Sequence, residues 1–196
     1  MKMTGFEKRF VNRRRKAERN IKKIEEVLKQ INAEEIKDAL EIGCGIGLVS
    51  AHLANQLGMN VYGTDFDPEE IQLAKSFNEE RDTLHFQVED AARLSFADNV
   101  FDLVISQNVF HHIPDWPTAI AEISRVLRPD GCLIWQDLVF PGWLKMVSKP
   151  ITKNYGLYTI NDVQSEFEKR GFVIKHEHRR MHGPFKYCEM LLNMSS

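Results

Sequence analysis

The sequence predicts an α/β fold in which helices cover both faces of a mostly parallel sheet. From residue 36 onward, short apolar segments alternate with amphipathic segments that begin at capping residues and end at glycine. Parallel strands need a helical crossover between them, so this alternation indicates a parallel sheet. The chain has 196 residues, of which 43% are hydrophobic and 28% charged, and this suits one soluble domain.

The segment before the first strand predicts one long helix, or two helices with a small break, over residues 7–31. Its apolar residues recur at spacings of three and four and form one stripe, made of Phe6, Phe10, Val11, Ile21, Ile24, Val27, Leu28 and Ile31. Residues 1–30 hold eleven Lys and Arg against four Glu, an excess of +7 that leaves −9 for the remainder. A basic run at residues 12–16 is typical of nucleic-acid arms. The acidic body and the lack of interleaved aromatics favour a solvated helix face.

Start and stop signals place the later elements in order. Strands are predicted over residues 37–42, 59–64, 83–88, 101–106, 132–137, 172–178 and 185–192. Helices are predicted over residues 48–57, 68–78, 116–127 and 160–170, with N-caps at Asp67, Asp115 and either Thr159 or Asn161, and stops at Gly58 and Gly171. Turns are expected at residues 128–131 and 183–184. Residues 138–158 do not follow the alternation of strands and helices, and they are rich in aromatic residues. This composition indicates a substrate lid or a packing segment.

The turn after the first strand carries glycines at alternate positions, Gly43, Gly45 and Gly47. A sharp turn from strand to helix needs positive φ, which glycine reaches without a Cβ clash. A ligand against the turn needs bare backbone, and the first amides of the next helix are free to meet its polar groups. The dinucleotide fingerprint would need a third glycine at position 48, where this chain has Leu48.

Five segments in order resemble those of the S-adenosylmethionine (SAM)-dependent methyltransferases, in the UbiE/small-molecule group. They lie at residues 38–47, 61–65, 89–96, 101–106 followed by 111–115, and 125–133. The resemblance covers roughly residues 36–192 and implies a Rossmann-like, seven-stranded sheet whose last strand is antiparallel. It divides the single domain into a helical cap (residues 1–32), a SAM-binding core (36–137), an insertion or lid (138–158) and a C-terminal helix with strands (159–196).

The resemblance also implies a set of cofactor contacts. They are Glu41, Gly43, Cys44, Gly45, Gly47, Asp65, Phe66, Asp90, Ala91 and Gln107. Asp65 would accept hydrogen bonds from both ribose hydroxyls, Asp90 would take the adenine amine, and Phe66 would stack beside the ring. Glu89 and Ser95 stand where the family often has Gly and Pro. SAM is therefore the expected cofactor and S-adenosylhomocysteine (SAH) the expected product.

The implied chemistry is direct displacement of the methyl group from SAM. A base is needed only if the acceptor must first lose a proton. The adjacent histidines His111 and His112 are the candidates for catalysis, although in the family this pair is more often a wall of the site than a base. Asp102, at the start of an apolar strand, is interpreted as structural, and Cys44 as a small apolar residue.

Metal, membrane and disulfide chemistry are not expected. His176 and His178 share one face of a predicted strand, but two ligands make a poor metal site. Cys44, Cys132 and Cys188 are odd in number and far apart, which fits a reducing cytoplasm. No apolar run approaches the ~20 residues of a membrane span, and the N-terminus lacks the apolar core of a secretory signal.

The preferred interpretation is a cytoplasmic methyltransferase for a small-molecule acceptor. The acceptor would bind between the cap, the segment after the fourth strand and residues 138–158. One alternative is an RNA or protein methyltransferase steered by the basic helix, and another is a SAM-binding homologue without catalysis. Residues 106–109 read Ser-Gln-Asn-Val, not the N/D-P-P-Y/F segment of amino-methylating nucleic-acid enzymes, which disfavours a DNA substrate.

Overall fold

The computed structural model describes residues 5–79, 81–144, 155–182 and 185–195, with side chains from residue 14 onward except at residue 182. The helices are α1 (Gly5–Leu28), α2 (Leu48–Leu57), α3 (Pro68–Phe77), α4 (Trp116–Val126) and α5 (Ile160–Lys169). The strands are β1 (Asp38–Ile42), β2 (Asn60–Asp65), β3 (Leu84–Val88), β4 (Phe101–Gln107), β5 (Leu127–Val139), β6 (Phe172–His182) and β7 (Phe185–Met194). Short 3₁₀ turns lie at Ala33–Glu35 and Phe110–His112.

The strands form one sheet in the order β3-β2-β1-β4-β5-β7-β6. β7 runs antiparallel to β5 and β6, and the pairs from β3 to β5 are parallel. The predicted fold class is therefore confirmed. The strand order reverses between β1 and β4, and ligands of open α/β sheets bind beyond the carboxyl ends of strands at such a reversal.

Two strands differ from their predicted bounds by more than two residues at an end. β5 begins earlier because the expected turn at residues 128–131 is a bulge inside it: the pairing with β4 jumps from Phe101↔Leu127 to Leu103↔Cys132. β5 and β6 also continue past their predicted ends, because both pair with β7 along nearly its whole length. The predicted turn at residues 183–184 lies outside the described residues, as do residues 145–154 of the insertion.

Helix α1 packs on the sheet face that α2 and α3 also cover. Its stripe buries Ile24 and Leu28 completely in the core of that face. The Nζ of Lys23 lies 2.5 Å from a carboxylate oxygen of Glu189 on β7 and 4.7 Å from the ring centroid of Tyr187. The expectation that the basic residues of α1 face solvent is therefore wrong for Lys23, because β7 offers it a carboxylate. The side chains of Phe6, Phe10 and Val11 lie outside the described residues.

Asp102 is structural, as predicted. It lies at the start of β4, where its Oδ2 accepts hydrogen bonds from the amides of Lys37 and Asp38, each 2.9 Å away. Its Oδ1 lies 2.6 Å from Arg128, which also binds the Asp38 carboxylate. Burial raises the pKa of Asp102, but the Asp38 amide and Arg128 outweigh it and hold the pKa below its ordinary value. This network ties β1, β4 and β5 together at their amino ends.

Candidate active site

The glycine loop after β1 adopts left-handed backbone at all three glycines, with φ of 73° at Gly43, 53° at Gly45 and 73° at Gly47. A Cβ on Gly43 would lie 2.1 Å from a methyl of Val109, so this glycine lets the loop pack on the segment after β4. A Cβ on Gly45 would meet nothing nearer than Glu70 Oε2 at 3.8 Å. Gly45 therefore borders open space, where a ligand can approach the backbone.

That space is a cavity of about 200 Å³ at the carboxyl ends of β1 and β4. Five of the ten predicted cofactor contacts line it, namely Glu41, Gly43, Cys44, Gly45 and Gln107. Lys16, Ala17 and Asn20 of α1 line it as well. The sequence indicated that α1 covers the site, but it carried no sign of which turn of the helix does so.

Asp65 lies beside the glycine loop at the end of β2. Its Oδ2 accepts a hydrogen bond from the Gly45 amide at 2.9 Å, and its Oδ1 accepts one from the Asp67 amide at 3.0 Å. Asp67 caps α3 through the Glu69 amide, as predicted. Asp65 is thus bound to the loop that borders the cavity, at the edge nearest β2.

The predicted contacts beyond Asp65 are spread along the carboxyl edge of β2 and β3. Phe66 is 74% exposed. Asp90 is exposed and accepts a hydrogen bond from the Ala92 amide at 2.9 Å. Ala91 is buried in the core on the opposite face of the sheet from α1. Gly47 precedes α2, where its missing Cβ makes room for Phe86.

Glu41 is a buried carboxyl group in the cavity wall, with 4% of its surface exposed. Burial raises its pKa to about 7, although a hydrogen bond from Ser50 Oγ at 2.5 Å opposes the shift. A cationic ligand in the cavity would favour the ionised form of this group. Glu41 therefore suits the positively charged end of a cofactor such as SAM.

Gln107 is 93% buried at the end of β4 and presents an unused acceptor. Its Nε2 donates to Gln136 Oε1 at 2.7 Å, and its own Oε1 has no hydrogen-bond partner among the described residues. A buried amide oxygen without a partner is costly unless a ligand supplies a donor. Together with the open space at Gly45, this oxygen fits the ammonium of the amino-acid end of SAM.

Asp137 near the end of β5 is a functional candidate that the sequence did not reveal. It is fully buried and accepts a hydrogen bond from His111 Nδ1 at 2.5 Å and one from the His111 amide at 3.4 Å. Burial, and after it the charge of Asp137, raises the pKa of the buried Tyr158. Two consecutive polar residues at positions 136–137, inside an otherwise apolar strand, are the sequence feature that could have pointed to Asp137.

His112 is in a different environment from His111. It is exposed, and its ring centroid lies 4.0 Å from that of His111 and 6.0 Å from that of Tyr155. Burial, and after it the charges of His111 and Lys16, lowers the pKa of His112. Lys16, which lines the cavity from α1, is the last and smallest of these influences.

Residues 40–135 match the sequence profile of the methyltransferase domain family. The chain carries a methyltransferase domain. Solved structures with the same fold include a SAM-dependent methyltransferase. The match covers the glycine loop, Asp65, Asp90, Gln107 and both histidines.

Known proteins similar to this chain bear related names. The 2-methyl-6-phytyl-1,4-hydroquinone methyltransferase of Synechocystis is 39% identical over 98 residues, which are 50% of this chain and 31% of that protein. Norajmaline N-methyltransferase of Rauvolfia serpentina is 33% identical over 50% of this chain and 35% of its own. The chain thus spans about a third of the length of these two relatives. A SAM-dependent methyltransferase structure from Methanosarcina mazei, 23% identical, covers 86% of this chain and 97% of that chain with a TM-score of 0.72, which shows the fold.

Glu89 and Ser95, the two residues at which this methyltransferase domain departs from the family pattern, contact each other. The carboxylate of Glu89 accepts a hydrogen bond from the Ser95 amide at 3.0 Å and a second from the Ser95 hydroxyl. Gln87 donates to the same carboxylate at 2.7 Å. A proline at position 95 would have no amide to donate, so the acid at 89 and the serine at 95 act as a pair. Their contact closes the loop that holds Asp90.

The methyltransferase domain holds no other evident chemical site among its described residues. No group of three or more His, Cys, Asp or Glu residues within those ranges is arranged to bind a metal. Cys44, Cys132 and Cys188 are free and buried, and burial raises the pKa of each thiol. In the same part of the chain, no helix is long and apolar enough to cross a membrane.

Proposed function

We propose that this protein transfers a methyl group from SAM to a small-molecule acceptor by direct displacement. The observation that carries the proposal is the cavity in which the bare backbone of Gly45, the acid Glu41 and the unpartnered oxygen of Gln107 meet. The relatives named for a hydroquinone and for norajmaline support a small-molecule acceptor. The two names give different acceptors, a hydroquinone and norajmaline.

The residues at the carboxyl ends of the strands would hold SAM from its amino-acid end, near β4 and β1, to its adenine, near β3. Gln107 and Glu41 would bind the amino-acid end, with Lys16 near the carboxylate, and the backbone at Gly45 would lie against the centre of the molecule. Asp65 would accept hydrogen bonds from the ribose hydroxyls with lone pairs that its backbone contacts leave unused. Asp90 would take the adenine amine, and the exposed ring of Phe66 would cover one face of the base.

The protein's own contribution would be to align the acceptor with the methyl group of SAM and to exclude water from the site. Bound SAM supplies a methyl group made electrophilic by the sulfonium charge. The acceptor need only be held in line with that methyl in a dry site. Helix α1 would form the cap of this site, because Lys16, Ala17 and Asn20 line the cavity together with the glycine loop. The acceptor would enter between α1, the histidine turn and Tyr155, and His112 would form part of the wall.

A cytoplasmic location and the absence of a nucleic-acid partner belong to the same proposal. The three buried free thiols suit a reducing compartment. Lys23, one of the basic residues of α1, is held by Glu189 on the protein itself. Other basic residues of α1, among them Arg14, Arg15, Arg19 and Lys22, are exposed and could meet a macromolecule, and binding of RNA through them would fall steeply with salt.

The test has two stages. Titration calorimetry with SAH should show binding to the folded protein, and methyl transfer from labelled SAM to a metabolite library should identify the acceptor. A folded protein that does not bind SAH would refute the proposal. SAH binding without turnover on any acceptor would favour a non-catalytic SAM-binding homologue. Salt-sensitive RNA binding together with methylated RNA would favour the macromolecular alternative.

A further inference from the structure

His111 is fixed in place by three hydrogen bonds. Its ring Nδ1 and its amide both bind the carboxylate of Asp137, at 2.5 and 3.4 Å. Its carbonyl oxygen accepts a hydrogen bond from the Gly156 amide at 3.1 Å. A Cβ on Gly156 would lie 2.4 Å from the Ile113 carbonyl oxygen, so the segment around Gly156 packs tightly on the histidine turn. The ring of His111 therefore has one orientation.

The same contacts decide which ring nitrogen carries the proton. An ionised carboxylate only accepts hydrogen bonds, so Nδ1 of His111 must be the donor to Asp137. In the neutral ring, Nε2 is then an unprotonated acceptor. Asp137 is fully buried, and a buried charge is tolerated when it is paired and hydrogen-bonded. Once the ring takes a second proton, the negative charge of Asp137 stabilises the imidazolium, as in other histidine bases with an orienting acid.

The histidine turn lies next to the cofactor cavity. The turn begins directly after Val109, which packs against Gly43. Gln107, two residues before Val109, lines the cavity. Lys16 lines the same cavity and lies close enough to His112 for its charge to act there. The titratable and charged groups around the histidines are thus Asp137 from β5, the buried Tyr158 that interacts with Asp137, Tyr155, and Lys16 through its charge.

We propose that His111, oriented by Asp137, is the base that removes a proton from the acceptor, and that the acceptor is therefore a hydroxyl compound. This inference rests on the proposed function of the site. The acceptor oxygen forms its bond to the methyl carbon as the carbon–sulfur bond breaks and leaves its electron pair on sulfur. Nε2 of His111 takes the hydroxyl proton and later releases it to water. Asp137 is a positioning residue, since it acts on the acceptor only through His111.

A hydroxyl acceptor explains why the site holds a base. A neutral hydroxyl is a weak nucleophile, and a phenol has a pKa of about 10, so few molecules are ionised at neutral pH without help. An uncharged amine attacks through its own lone pair and loses a proton only afterwards. A tertiary amine has no proton to lose. His112 is the weaker choice for the base, because it is exposed and its pKa is lowered.

The test combines methyl-transfer kinetics on probe acceptors with ¹⁵N NMR of the histidine rings in the protein without acceptor. The hydroxyl probes are catechol and 4-ethylphenol, and the amine probes are 4-ethylaniline and N,N-dimethylaniline, each supplied with labelled SAM. Wild-type protein should methylate the hydroxyl probes. His111→Gln should lower kcat by about 100-fold or more and leave SAH affinity within twofold. The matched variant His112→Gln should lower kcat by less than tenfold.

Asp137 has its own readouts. In ¹⁵N NMR of the wild-type protein at pH 8, His111 should carry its proton on Nδ1. Asp137→Asn should move the acid limb of the kcat–pH profile to lower pH, because the imidazolium loses its negative neighbour. The proposal is overturned if the NMR shows the proton on Nε2, if His111→Gln methylates the hydroxyl probes as fast as wild type does, or if wild type methylates only the amine probes. A wild-type protein that fails to bind SAH would instead contradict the proposed function.

Discussion

The carboxylate of Asp65 is bound to the backbone of Gly45, with Oδ2 and the amide nitrogen 2.9 Å apart. The acid predicted to bind the cofactor ribose thus also holds the loop that borders the cofactor cavity. The second oxygen of Asp65 accepts from the Asp67 amide at 3.0 Å. Under the proposed function, cofactor binding and local stability would therefore be coupled at this residue.

The first prediction concerns Asp65→Ala. Because the ribose hydroxyls lose a charged acceptor worth about 1.5–3 kcal/mol per bond, SAH affinity measured by calorimetry should fall at least tenfold. The amides of Gly45 and Asp67 lose their acceptor as well, so the free energy of unfolding in urea should fall by about 1–3 kcal/mol.

Asp67→Ala is the matched control for this variant. It removes the N-cap of α3 and should cost about 0.5–2 kcal/mol of stability. Its SAH affinity should stay within twofold of wild type. Equal SAH affinity in Asp65→Ala and wild type would show that Asp65 serves only the loop.

The second prediction compares two glycines in left-handed backbone. Gly45 has φ of 53° and borders the cavity, whereas Gly58 has φ of 70° at the end of α2 with nothing within 4 Å of its Cβ position. Valine at either position should cost about 1–2 kcal/mol of stability for the backbone strain. Only Gly45→Val places a branched side chain in the cavity, so it alone should abolish SAH binding. A folded Gly45→Val protein with normal SAH affinity would place the cofactor elsewhere.

The third prediction concerns α1 as a cap. Deletion of residues 1–20 removes the cavity-lining residues Lys16, Ala17 and Asn20, so SAH should bind at least tenfold more weakly. Hydrogen exchange should speed up at residues 43–47 and 107–112. The double variant Arg14→Gln/Arg15→Gln changes exposed charges on the same helix and should leave SAH binding within twofold. Intact SAH affinity after the deletion, with loss of RNA binding at moderate salt, would refute the cap.

The fourth prediction follows from the buried acid Glu41, whose pKa is raised from an ordinary 4.5 to about 7. Between these values the folded protein binds more protons than the unfolded chain. The contribution of Glu41 to stability is therefore complete below about pH 4.5 and is lost as the pH rises to 7. The loss should approach about 3 kcal/mol, measured as the free energy of unfolding in urea at pH 5 and pH 8.

The variant Glu41→Gln isolates this effect. It should flatten the stability difference between pH 5 and pH 8, since an amide does not titrate there. Asp102, whose pKa is lowered, acts with the opposite sign: its contribution is lost as the pH falls below its ordinary 3.8, outside this window. An unchanged pH dependence in Glu41→Gln would assign the effect to another group.

The sequence by itself determined the features that depend on neighbours a few residues away. The positive φ at Gly43, Gly45 and Gly47 follows from the tight turn that joins β1 to α2. The start of α5 was predicted to within two residues, and the structure shows the capping box between Thr159 and Asp162. Periodic apolar residues and such caps act within one or two helical turns, so the local sequence carries all the information that they need.

The tertiary structure alone decided the contacts between distant strands. Asp137 meets His111 across 26 residues, Gln136 meets Gln107 across 29, and Glu189 meets Lys23 across 166. Each pair depends on the register of β5 and β7 in the sheet, which brings side chains of separate strands side by side. No local pattern encodes that register at single-residue precision, because a shift of one residue would turn every side chain of a strand to the other face. The left-handed backbone of the glycine loop was therefore readable from the sequence, whereas the contact between His111 and Asp137 was not.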